Sequence, residues 1–196
     1  VAVPQRNGIR SAPDAGDLLL VATGDEAALL RLLGRWRQPV YALFERVREP
    51  SAAAEAVLQT FERLVRAAPR FDPATPFSDF LWSHVARVVQ DLPAGPPLSV
   101  PPARLAESAA AQTAVQRSAI AALPAGERAA LLLVRVARLP LPGAAAALDV
   151  SESEVSRRLV RALETLRITL KPLLEPEGEP TTATTKLPEP EPGAAT

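Results

Sequence analysis

Ser153, Glu154, Arg157 and Arg161 fall on one side of a helix turning about 100° per residue, with Arg158 on the flank. Val155, Leu159, Ala162, Leu163 and Leu166 share another side and would face a core. Guanidinium groups in this arrangement grip phosphate oxygens or pair with guanine edges in a major groove, and Ser153 adds a weaker donor near the helix start. A solvated surface helix would present the same arginines, so the elements around this helix must decide what they do.

Those elements run from Leu123 to Arg167 and read as an apolar helix, a short second helix, a tight turn and the basic third helix. That is the order of a helix-turn-helix, which makes DNA the leading partner. Pro140, Pro142 and Gly143 stand at the entrance of the second helix, and Ala144 to Ala147 give it a uniform face. Asp149 occupies the tight turn, where an aspartate tolerates the left-handed conformation less readily than glycine. Glu152, at the start of the third helix, suits the positive end of the helix dipole. An alanine-rich helix from about Ser108 to Ala122 is assigned to the same module.

The N-terminal half shows three further helical stripes. They are Leu29, Leu33, Trp36, Val40, Phe44 and Val47; Val57, Leu58, Phe61, Leu64 and Val65; and Phe77, Phe80, Leu81, Val85 and Val88. Asp25 or Thr23 is expected to cap the first and Ser51 the second, with Pro76 in the first turn of the third. Pro39 is expected to kink or break the first near Gln38. Between the second and third lies Arg70-Phe71-Asp72-Pro73-Ala74-Thr75-Pro76, a loop stiffened by two prolines. Such a loop can present a pocket, although Phe71 is equally suited to plugging the core beneath it.

Composition narrows the function classes. The chain has 196 residues, 22 basic and 22 acidic, with no cysteine and one histidine. Disulfides are therefore excluded, and His84 has no second histidine or cysteine with which to build a metal site. No glycine-rich phosphate loop or nucleophile motif is present, so the chain is read as a non-enzyme needing no cofactor. Charge is segregated: Leu123 to Lys171 has eight basic against five acidic side chains, whereas Glu175 to Thr196 has one against five. No run is apolar enough to insert in a membrane and Val1 to Asp17 has no signal-peptide pattern, so a cytoplasmic location is expected.

Two sets of residues together resemble one family. Leu123, Pro124, Arg128, Leu131, Leu132 and Leu133, then Leu148, Val150, Ser151, Val155, Arg158, Leu159, Arg161, Ala162, Leu166 and Arg167, resemble the promoter-reading C-terminal domain of extracytoplasmic-function (ECF) sigma factors of the sigma-70 family. Gly24 to Ala28, Tyr41, Pro50, Thr60-Phe61, Arg70 to Pro73, Pro76-Phe77, Leu81 and Ala86-Arg87 resemble sigma region two, in the right chain order. The resemblance implies a bacterial transcription initiation factor whose partners are core RNA polymerase and promoter DNA, with an anti-sigma factor as a further candidate. It assigns upstream-element reading to Ser153, Glu154, Arg157, Arg158 and Arg161, promoter melting to Arg70, Phe71, Asp72 and Thr75, and polymerase docking to Glu55, Leu58, Gln59 and Glu62.

The expected fold is all-α: a region-two-like helical domain over 14–92 and a region-four-like helix-turn-helix domain over 108–171. A flexible N-terminus (1–13), a semi-rigid proline-rich linker (93–107) and a disordered acidic tail (172–196) complete the expectation. A diverged sigma-like adaptor that binds a regulator without programming polymerase is the alternative. Its support is the run Ser51-Ala52-Ala53-Ala54-Glu55, where the family carries an acidic docking segment, and the alanine-filled helix-turn-helix entrance.

Overall fold

The computed structural model describes residues 12–95 and 108–174, and within them every regular element is helical. Four helices form the N-terminal group: α1 (Ala12–Ala22), α2 (Glu26–Phe44), α3 (Pro50–Ala67) and α4 (Phe77–Asp91). Four form the C-terminal group: α5 (Ala109–Ala122), α6 (Ala125–Leu131), α7 (Leu141–Leu148) and α8 (Glu152–Leu174). A 3-10 turn (Ala68–Arg70) follows α3, and α6 continues as a π-helical segment (Leu132–Val136). The expected tail lies outside the described residues except for the end of α8, and most of the expected linker does too.

Local signals explain most boundaries. Asp25 caps α2 by accepting from the Ala28 amide at 3.0 Å, and Ser108 caps α5 by accepting from Ala111 at 3.2 Å. Ser51 does not cap α3. Pro50 takes the first helical position with Glu49 before it, because a proline has no amide hydrogen to leave unpaired there. Pro76 likewise stands one residue ahead of α4.

The expected break at Pro39 does not occur, since α2 runs unbroken from Glu26 to Phe44. Burial of Val40, Leu43 and Phe44 on its far side outweighs one missing backbone bond. The three-stripe N-terminal core also has a fourth member. Helix α1 lies against α2, where Asp14 and Asp17 are met by Arg31 and Arg35, with Arg31 Nη2 2.7 Å from Asp17 and Arg35 Nε 2.6 Å from Asp14.

The two groups are not separate bodies in this structure. One apolar core runs from Leu18, Phe44, Leu64 and Trp82 in the first group to Leu132, Ala145, Leu148 and Val155 in the second. Helix α7 packs on α4, and its Ala144, Ala145 and Ala147 are buried, small side chains that suit close helix approach. A smaller cluster of Leu123, Leu131 and Ala162 belongs to the second group alone. The two helical modules expected from the sequence therefore pack against each other through this core.

Candidate nucleic-acid interface

The turn before α8 sets its direction. Asp149 adopts the left-handed conformation (φ 53°, ψ 49°) that ends α7, and the Val150 amide returns to the Ala145 carbonyl at 3.1 Å. Ser151 then caps α8 by accepting from the Glu154 amide at 3.2 Å and pairs with the Ser153 hydroxyl at 2.9 Å. Val155 and Ala162 are fully buried on the inner side, while Leu163, expected among them, lies at the exposed edge.

The sequence-assigned side chains separate into two roles. Glu154 accepts from Arg158 Nε at 2.8 Å and is paired with Arg157 Nη2 at 2.7 Å. The Arg158 hydrogen bond, reinforced by the charges of Arg157 and Arg161, holds its carboxyl below the ordinary glutamate range. The Arg158 guanidinium also lies over Gly126 of α6, where an added Cβ would come within 3.2 Å of it. Arg158 therefore fastens α8 to α6. Arg157, with 63% of its side chain exposed, and Arg161 face outward in line with Ser153. Val160, absent from the sequence assignment, is 62% exposed between these arginines. Its position three residues after Arg157 was the available signal, and an apolar side chain there suits a thymine methyl group.

In the loop after α3, Arg70 and Asp72 are exposed and Thr75 is half-buried. The Asp72 side chain accepts from Ala74 at 2.9 Å and its carbonyl from Thr75 at 2.9 Å, a self-closing turn. Phe71 is buried, its ring centre 5.0 Å from that of Phe80, so it plugs the core in this conformation. Glu55, Leu58, Gln59 and Glu62 lie together on one exposed face of α3, and Leu58 is 63% exposed there.

His84 is buried against Phe80, with Nδ1 2.8 Å from the Phe80 carbonyl, and burial pushes its imidazole below the usual histidine range. No cluster of three metal-ligating side chains occurs among the described residues. Nor is any helix among them long and apolar enough to cross a membrane.

Residues 117–166 match the family model for sigma-70 region 4, which spans α5 from Arg117 through the outward-facing arginines of α8. The match identifies a sigma-70 region 4 module in the C-terminal group. The fold of the chain is similar to that of CnrH, whose structure was solved in complex with the cytosolic domain of CnrY. The TM-score is 0.63 at 24% identity, covering 82% of this chain and 98% of CnrH. No curated protein matches by sequence. The family-model match covers the C-terminal group, and the likeness of fold extends to both groups.

Proposed function

We propose that this chain is a sigma factor that brings core RNA polymerase to promoters, docking through α3 and reading an upstream element through α8. The observation that carries the reading is the outward line of Ser153, Arg157 and Arg161 on a helix entered through a left-handed turn, within a region 4 module. Arg157 and Arg161 supply phosphate and guanine-edge contacts, and Val160 an apolar one. Glu154 restrains Arg157 and Arg158 and lowers the net charge offered to phosphate, which favours base readout over indiscriminate backbone binding.

The face formed by Glu55, Leu58, Gln59 and Glu62 combines an exposed leucine with two carboxylates, chemistry suited to a basic, partly apolar polymerase surface. Arg70, Asp72 and Thr75 are the groups of the loop available to melted DNA. Action is by recruitment, without covalent chemistry. Because CnrH is seen with CnrY, a protein regulator that occupies this chain is part of the proposal.

The test is transcription of fragmented genomic DNA by core polymerase with and without the protein, with 5′-end sequencing of the products. New start sites preceded by a shared upstream element support the reading. Core binding without initiation would instead support the adaptor, which the alanine-rich run before Glu55 favours.

A further inference from the structure

The turn between α2 and α3 carries an arginine whose buried Nε has no acceptor. The Arg48 amide donates to the Phe44 carbonyl at 2.9 Å, and Val47 beside it is buried, which fixes the turn. The side chain of Arg48 lines a cleft of 170 Å³ between the start of α3 and the end of α4, together with Ala52 and Glu55 on one side and Val88, Asp91 and Leu92 on the other. Its Nε is buried without a hydrogen-bond partner. The carboxylates nearby are committed elsewhere. Glu49 is ion-paired with Arg117, Asp91 is paired with Arg63 at 2.7 Å, and Glu55 accepts from Gln59 at 3.5 Å. Among the described residues, none pairs with Arg48.

A second guanidinium stands close by. Arg128 of α6 donates to the carbonyl of Leu92, a residue of the cleft wall, at 2.6 Å, and its other acceptors are also backbone carbonyls. Burial and the charge of Arg48 hold it below the ordinary arginine range. Two like charges therefore adjoin one small cleft with no carboxylate pairing either. Such an arrangement destabilises the fold, because a desolvated N–H goes unpaired and a like charge lies beside it. A side chain retained against stability points to a role outside the fold.

We propose that this cleft is an anchor pocket beside the α3 docking face, and that Arg48 receives there a carboxylate side chain of core polymerase. This rests on the reading of α3 as the polymerase-docking helix. Size separates a side chain from a small molecule: the cleft is smaller than the roughly 300–1,000 Å³ of ordinary small-molecule sites. Continuity points to the partner, since Glu55 and Gln59 line the cleft and also belong to the exposed face with Leu58 and Glu62. A protein seated on that face covers the cleft.

Charge sets the pattern of the docked segment. Arg48 calls for a carboxylate, whereas Glu55, Glu62 and Asp91 around it favour cations, so the segment presents an acidic residue flanked by basic ones. Ala52 keeps the space open, and an aspartate in its place would supply Arg48 with a carboxylate from within the chain.

Arg48→Met keeps the apolar stem and removes the charge. Its thermal midpoint should equal or exceed that of the unaltered chain, because an unpaired guanidinium is lost. Its affinity for core polymerase should fall at least about tenfold and become less dependent on salt. Arg48→Lys should bind better than Arg48→Met, since the charge remains and only the planar fork is lost. Ala52→Asp should weaken core binding while raising the midpoint. Unchanged core affinity in both Arg48→Met and Ala52→Asp would overturn the anchor pocket. So would a lowered midpoint in Arg48→Met, which would make Arg48 a structural residue.

A second measurement decides the cleft without polymerase. The unaltered chain is titrated with acetate, which reproduces the end of an aspartate side chain, and the Arg48 Nε–H signal is followed by NMR against chloride at matched ionic strength. A saturable shift in acetate beyond that in chloride is expected, and equal shifts would overturn the pocket. If core polymerase does not bind the unaltered chain, the docking reading fails while the acetate titration still decides whether Arg48 takes a carboxylate.

Discussion

The two helical groups are built from different material. The N-terminal group packs Phe44, Phe61, Phe77, Leu81 and Trp82 around one another, with Trp36 edge-on to Trp82 at 6.4 Å. The C-terminal group buries Ala129, Ala130, Ala144, Ala145 and Ala147, and its private cluster is only Leu123, Leu131 and Ala162. Large side chains bury enough surface to hold a bundle unaided, whereas alanines add little each and are valuable chiefly where helices approach closely. The first group thus supplies the large aromatic side chains of the shared core. The second leans on α4 for part of its core, which ties its stability to that contact.

That contrast can be broken from the side of the first group. Phe44 is completely buried, and Phe44→Ala should cost about 3–5 kcal/mol, lowering the denaturation midpoint of both groups together. From the other side, Ala147→Leu should overfill the α4–α7 contact at about 1–3 kcal/mol. Its expected signature differs: a thermal scan should split in two, with the C-terminal group melting first. A single transition in Ala147→Leu would show that the seam is less tight than the alanines imply.

A smaller effect sharpens the picture of the first group. Asp25→Ala removes the α2 cap and should cost about 1 kcal/mol in a denaturant titration. The acid limb tests the α1–α2 clip. Hydrogen bonds from Arg31 and Arg35 hold the Asp17 carboxyl below its ordinary value of 3.8. A carboxylate with a lowered folded pKa contributes stability that is fully present above the unfolded value and is lost as pH falls through the folded one. Asp17→Asn should therefore flatten the stability profile below about pH 4 and leave its shape near neutrality unchanged.

The helix-turn-helix was legible from spacing because its periodicity, its aspartate turn and its outward arginines all point the same way. The N-terminal stripes were legible for the same reason. What the sequence concealed was relational. Ala144 to Ala147 looked like an eroded face, and their use became visible only with α4 beside them. Arg128 was a motif residue without an assigned partner because its acceptors are backbone carbonyls 36 and 39 positions away, and a carbonyl leaves no trace in residue type. Arg158, a candidate DNA contact on the flank, also lies over Gly126 of α6, a neighbour that spacing alone does not reveal. Helix α1 was missed because its partners, Arg31 and Arg35, lie on a different helix.

In the proposed function, α8 reads promoter DNA for a polymerase held by the other module. Start-site mapping with core polymerase, comparing the protein with its Arg157→Ala/Arg161→Ala double variant, tests it most directly. Starts should follow a common upstream element with the unaltered protein and lose that preference in the double variant, while core binding persists. An unchanged start-site profile in the double variant would contradict the claim.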